Sequence, residues 1–239
     1  MQFIPVKTRL LKPPQDDLLS AFRESLPAIQ NGDVVLISSK VVAIHEGRAV
    51  LISEGDKTEL IKQEADLIIE RPYWPAPLTV AHHTFLGAAG IDESNGDGYY
   101  ILLPEDIFAS AKRLRDWLKS EYKINELGVI ITDSHSSPFR YGATGIALGW
   151  CGIEPIEDCR GRADLFGRKI LYERSNIVDG LAAGATVLMG EVDERIPIVI
   201  AREVPRLVFT EANTKDQLLV PFKDDTFRVL YEHYLKPKD

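Results

Sequence analysis

Gly90-Ile91-Asp92-Glu93-Ser94-Asn95 sets an acid in a glycine-led loop, and Ile131-Thr132-Asp133-Ser134 and Met189-Gly190-Glu191 repeat the arrangement. Each puts a carboxylate beside small or hydroxylated neighbours at the end of an apolar run. Carboxylates at strand ends, with short oxygen-bearing side chains next to them, suit hard divalent cations such as Mg²⁺ or Mn²⁺. The bland reading of any one of these acids is a turn former or a helix cap. The flanking chain alternates β-branched runs with helical periodicity, which reads as a mixed α/β (α+β) fold.

Working outward, Phe3 to Val6, Val34 to Ile44, Ala49 to Ser53, Leu78 to Leu86, Gly128 to Thr132 and Ile196 to Ala201 read as strands. Asp16 to Ile29 carries Leu18, Leu19, Phe22 and Leu26 at helical spacing, with Asp16 or Asp17 as cap. Lys57 to Ile69 and the alanine-rich Ile177 to Met189 also read as helices. Ile107, Ala111, Leu114, Leu118 and Tyr122 form one apolar stripe of the clearest helix, opened by Glu105 and Asp106. Gly87 to Gly98 and Ser134 to Arg140 read as loops, and the prolines of Arg71 to Pro77 exclude regular structure there. Gly142 to Gly149 has neither a P-loop ending nor the dinucleotide spacing, so its glycines are read as close-packing positions.

The chain has 239 residues and a formal net charge of −8. That length suits one domain, 1–239, or two interleaved subdomains that bury roughly 70–75% of the unfolded surface. A negative total argues against sequence-independent nucleic-acid binding. No apolar run approaches the ~18 residues of a membrane span, and the amino terminus lacks the charged start and apolar core of a signal peptide. A soluble cytoplasmic protein is expected. Cys151 and Cys159 have no zinc-finger partners and are expected as reduced thiols.

Among the cations, Arg160-Gly161-Arg162 and Gly167-Arg168 present guanidiniums beside glycines. They could fork onto phosphate or carboxylate oxygens, or pair on the surface with Asp158 and Asp164. His82 and His83 would point to opposite faces of a strand. A triad from Asp133, Ser134 and His135 is rejected, because sequence neighbours rarely form one and no nucleophile elbow is present.

The ordered set Gly32-Asp33-Val34-Val35, Ser38-Ser39-Lys40-Val41-Val42, Glu46-Gly47-Arg48, Gly90 to Asn95, Leu102-Leu103-Pro104, Ile131 to Ser134, Gly161 to Arg168 and Leu188 to Glu191 resembles the coenzyme F420-0:L-glutamate ligases, from about residue 3 to about residue 202. The resemblance implies a γ-glutamyl ligase-like fold of two intertwined subdomains, a homodimer, and a GTP- and metal-dependent enzyme. Such an enzyme joins L-glutamate to a carboxylate acceptor, F420-0 or a relative such as a folate, through an acyl phosphate. By position, Asp92, Asp133, Ser134 (where the family has threonine) and Glu191 match metal ligands. Ser39, Asn95 and the stretch from Met189 and Gly190 to Ile196 match nucleotide contacts, and Arg9 to Lys12 align with a nucleotide-binding segment. No catalytic residue is assigned.

There are departures. Ala43 and Ile44 replace a Ser-Lys pair, Ala88 replaces an asparagine, and Ser136-Ser137 replaces Gly-Arg. Lys40, four residues before Ile44 on the same expected strand face, is the candidate substitute for the lost lysine and joins the nucleotide set. The alternative is a relative that binds a nucleotide or anion without catalysis. A metal-dependent phosphohydrolase using the same acids is a third reading.

Overall fold

The computed structural model describes residues 1–235. Its main sheet has five strands in the order β1-β12-β2-β8-β9. These are β1 (Gln2–Val6), β2 (Asp33–Ser38), β8 (Leu127–Ser136), β9 (Ala143–Cys151) and β12 (Ile198–Arg202). Strands β2 and β8 run parallel, from Asp33 opposite Leu127 to Ser38 opposite Thr132, and the other pairs are antiparallel.

Both faces of the sheet are covered, so β2 has no polar alternation. Val35, Ile37, Val129 and Ile131 face a core shared with α1 (Leu18–Ser25), α2 (Ser39–His45) and α4 (Ile107–Tyr122). Val34, Leu36, Ile130 and Val199 face α5 (Ile177–Met189) and Trp150. Asp17 caps α1 through Leu19 N–H, and Asp106 caps α4 through Ala109 N–H.

Close approach explains the glycine run. A Cβ on Gly145 would stand 2.3 Å from the carbonyl oxygen of Ala182 in α5, and one on Gly149 would stand 2.6 Å from Ile107 Cγ2 in α4. Helices on opposite faces of β9 therefore both depend on a missing side chain.

The smaller sheets are β4-β5-β6 (Leu67–Ile69, Leu78–Ala81, Thr84–Gly87), β3-β7 (Ala49–Leu51, Tyr99–Ile101) and β10-β11 (Ile156–Asp158, Arg174–Asn176). Two further helices are α3 (Lys57–Glu64) and α6 (Lys215–Leu218). The expected mixed α and β fold is what the chain adopts.

The helix read as Asp16 to Ile29 is Leu18–Ser25, the strand Ala49 to Ser53 ends at Leu51, and four stretches differ in kind from the sequence reading. The run Val34 to Ile44 is not one strand, because the chain turns at Ser38 and Ser39–His45 is the helix α2. Its β-branched residues yield to packing of Val42 on one core and of Ala43 and Ile44 on another. The expected helix Lys57 to Ile69 ends at Glu64, and Leu67–Ile69 pairs as β4. Leu78 to Leu86 is a hairpin whose loop residues, His82 and His83, have φ of 49° and 59°. The twist of two-residue hairpin loops demands positive φ, and the sequence carries no Asn-Gly to announce it. Ser134 to Ser136 continue β8 rather than forming a loop, paired with Gly145 to Ala143.

Candidate functional site

The parallel pairing of β2 and β8 ends both strands at the same edge of the sheet. Ser39 therefore stands beside Asp133, and Ser39 Oγ donates to Asp133 Oδ2 at 3.0 Å. Strand β12 is antiparallel to β2, so the segment leading into it arrives at this edge too, with Ser38 N–H bonded to Pro197 O at 2.9 Å. Strand β1 is antiparallel to β12, so its exit meets the same segment, through Thr8 N–H to Arg195 O at 3.0 Å. The loop after β6 closes the ring: Asp92 exchanges backbone bonds with Ile101 at 2.8 and 2.9 Å, and Asn95 Nδ2 donates to Val192 O at 2.8 Å.

These segments enclose a cavity of about 780 Å³ lined by Ser39, Lys40, Asp92, Asn95, Asp133, Ser134, Met189, Gly190 and Glu191. All four residues assigned to a metal, and the nucleotide set Ser39, Lys40, Asn95 and Met189 to Ile196, thus reach one cleft. Ser134 Oγ donates to Glu191 Oε2 at 3.3 Å, and Lys40 Nζ is 2.6 Å from Asp92 Oδ2. A bulge between Ile131 and Thr132 resets the register where β8 enters the site. Gly190 (φ 72°, ψ 178°) has a conformation essentially restricted to glycine, and a Cβ there would stand 2.1 Å from the Glu194 carboxylate carbon.

Desolvation by surrounding protein pushes the Asp133 carboxyl up to about 6, and the negative charge of Asp92 adds to the rise, against the Ser134 N–H and Ser39 hydroxyl. Burial pushes Asp92 up as well. Its bond and charge contact with Lys40, together with Ser94, outweigh that and leave it below the usual carboxylate range. The two acids thus repel one another across the site, and Lys40 is bonded to one of them, Asp92.

All four donors assigned to a metal are hard oxygens, which fits Mg²⁺ or Mn²⁺. Among the described residues, no three His, Cys, Asp or Glu side chains are gathered into a ready-made shell. The donor chemistry fits a cation, provided Lys40 gives up its hold on Asp92.

Other expected cations stand elsewhere. Arg160 pairs with Asp158 and Arg162 with Glu157, each among near neighbours and away from the cavity. Arg48 is structural, donating to Leu103 O at 2.9 Å and Glu64 Oε2 at 2.6 Å. Of the segment Arg9 to Lys12, Arg9, Leu10 and Leu11 line the cavity, but Arg9 is held bidentately by Asp16 at 2.8 and 2.9 Å. Sequence reading missed Lys7, Thr8 and Thr132, which also line the cleft. The only trace of the first two was their place just past a short strand. Cys151 and Cys159 are free thiols. No described helix is long and apolar enough to cross a membrane.

Fold and site together define a mixed α/β protein with a cleft outside the carboxyl ends of a parallel strand pair, where sheets with parallel strands commonly bind their ligands. The sequence profile described as F420-0:Gamma-glutamyl ligase matches residues 5–203. The chain is 33% identical over 238 aligned residues to the coenzyme F420:L-glutamate ligase of Methanothermobacter thermautotrophicus, covering 88% of this chain and 90% of that protein. To the protein of that name from Methanopyrus kandleri it is 34% identical, covering 87% and 89%, and to that from Methanococcus maripaludis 31%, covering 95% and 97%. The chain belongs to the F420-0:gamma-glutamyl ligase family.

Proposed function

We propose that this protein is a glutamate ligase that forms an amide between L-glutamate and the carboxylate of F420-0 or a related acceptor, driven by GTP and assisted by Mg²⁺ or Mn²⁺. The observation that carries the reading is the meeting, in one cavity, of Asp92, Asp133, Ser134 and Glu191 with Ser39, Lys40 and Asn95. Family membership supplies the reaction class.

In this reading Asp92, Asp133, Ser134 and Glu191 hold divalent cations, which offset phosphate charge and align the transferred group. Ser39 and Asn95 position the nucleotide. The acceptor carboxylate takes the γ-phosphoryl group, and the nucleoside diphosphate leaves. The glutamate amine then attacks the acyl carbon, phosphate departs with the bonding pair, and the amine gives up a proton. Asp133, with its raised pKa, sits where a carboxylate can exchange its proton for a cation near neutral pH.

The test is incubation with GTP, Mn²⁺, glutamate and candidate acceptors, read as an acceptor mass gain of one glutamyl residue. A product supports the ligase. Nucleotide-dependent thermal stabilisation without product favours the non-catalytic reading, and absence of both rejects any nucleotide role. Phosphate release that needs no amine selects the phosphohydrolase.

The homodimer belongs to the same proposal. Phe139, Tyr141, Leu165, Phe166 and Tyr172 are almost fully exposed on the segments before β9 and between β10 and β11. Large apolar side chains left this bare mark an interaction surface where they adjoin, and a second copy is the proposed cover. Light scattering should report a dimer, and Phe166→Glu should shift it toward monomer. A monomeric wild type removes this part of the reading.

A further inference from the structure

Lys40 lies in the first turn of α2, at the carboxyl edge of the parallel strand pair. Its ammonium is 2.6 Å from Asp92 Oδ2 and donates to Ser94 O at 3.0 Å and Ser94 Oγ at 3.2 Å. A lysine has three donors, and here each has an oxygen of a different kind: carboxylate, carbonyl and hydroxyl. That is the mixed oxygen set a hard cation takes. The loop is itself tied to this arrangement, because Ser94 N–H and Oγ both donate to Asp92, at 2.7 and 3.0 Å.

The Lys40 ammonium also acts on Asp133, whose carboxyl it pulls downward. One helical turn on, Ile44 is 2% exposed and lines the same cavity, so that level of α2 offers the ammonium no counter-ion. A lysine and an isoleucine at i and i+4 share a helix face. The spacing that would have put them on one strand face has the same consequence on the helix.

We propose that the Lys40 ammonium is the resident cation of the Asp92 loop and that a divalent ion reaches Asp92 only by displacing it. Bound metal and tethered ammonium are then alternative occupants of one oxygen cage. Displacement turns the lysine out into the cavity, where an anionic ligand can take it as a partner. The inference rests on the reading of Asp92 as a metal ligand. It adds an exchange step made by this chain's own side chain.

The experiment uses the full chain without nucleotide. Mn²⁺ is titrated calorimetrically into wild type, Lys40→Met, Lys40→Gln and Asp92→Asn. In parallel, the acetylation rate of Lys40 is followed by mass spectrometry with and without Mn²⁺. Lys40→Met and Lys40→Gln should bind Mn²⁺ about tenfold more tightly, since no ammonium has to leave and its repulsion is gone. Asp92→Asn should lose most of the binding. In wild type, Mn²⁺ should speed acetylation of Lys40 several-fold, a response that a lysine staying on Asp92 would not give.

Equal or weaker Mn²⁺ binding by both Lys40 variants, or an unchanged acetylation rate, overturns the exchange while wild-type Mn²⁺ binding leaves the metal reading standing. Absence of Mn²⁺ binding in wild type and variants alike ends both. A melting curve on each variant guards against misfolding.

Discussion

Two regions of this molecule are rich in charge and glycine, and the structure uses them in opposite ways. In the β10–β11 arm, Arg160 is paired with Asp158 and Arg162 with Glu157, partners on the same short stretch of chain. In the cleft, Lys40 is paired with Asp92 and with Ser94, 54 residues away, and Ser134 bonds Glu191, 57 residues away. Charges satisfied by sequence neighbours need no fold to neutralise them and mark no site. Charges gathered by distant segments exist only because strands β2, β8 and β12 share an edge, and there the compensation is incomplete. Asp133 keeps a raised pKa because its surroundings are desolvated and the charge of Asp92 adds to the rise.

The largest expected difference between the regions is in catalysis. Asp133→Asn should lower amide formation by about 10²-fold or more, the scale of losing a group that organises transition-state charge. Arg160→Ala should leave the rate within about twofold, as expected of a group that touches no substrate. Steady-state rates on both variants check this, and equal losses would erase the contrast.

Stability comes next. Gly145→Val forces a side chain against the Ala182 backbone and should cost about 3 kcal/mol by denaturant unfolding, the upper end for overpacking. Gly161, in the arm, has open space around it but φ of 80°. Gly161→Ala should cost about 1 kcal/mol through backbone strain alone. A larger loss at Gly161 would make the arm, not the sheet, the tighter structure.

A third test concerns a long-range pair outside both regions. Arg115, with its side chain 4% exposed, is bonded bidentately to Glu211 at 2.6 and 2.7 Å. Hydrogen bonds from Arg115 and Lys119 hold the Glu211 carboxyl at about 2, below its ordinary 4.5. A depressed carboxyl stabilises the fold fully above its unfolded pKa and loses that contribution as pH falls through the folded one. Glu211→Gln should therefore cost about 1 kcal/mol at pH 7, discounted for the exposure of the glutamate. The gap to wild type should shrink between pH 4.5 and pH 2. A gap constant down to pH 2 would refute it. The smallest effect is expected in the arm again: Arg160→Ala should leave the unfolding midpoint unchanged within error.

Much of the fold was legible because burial writes periodicity into a chain. The stripe Ile107, Ala111, Leu114 and Leu118 lies fully inside, and the close-packing glycines Gly145 and Gly149 sit where helices press on β9. Elements failed where local preference and packing disagree. Val41 to Ile44 look like a strand yet coil as α2, since no neighbouring strand is there to pair with them. His82 and His83 form a hairpin turn without turn residues, because pairing of Ala81 with Thr84 imposes the conformation. In the site, Asp92, Asp133 and Glu191 were visible as acids closing apolar runs. Lys7 and Thr8 were not, because nothing local marks a residue that reaches the cleft through a strand two places away in the sheet.

By itself the amino-acid sequence determined which segments would be buried, which residue types could hold a hard cation, and the family. Those are properties of composition and spacing, carried by each segment alone. Only the tertiary structure decided that the acids share one cleft and that Lys40 lies on a helix with Asp92 in its grip, while Arg160 and Arg162 are spent on Asp158 and Glu157. Strand order and direction are global choices, and hydrogen-bond pairing between segments far apart in the chain makes them.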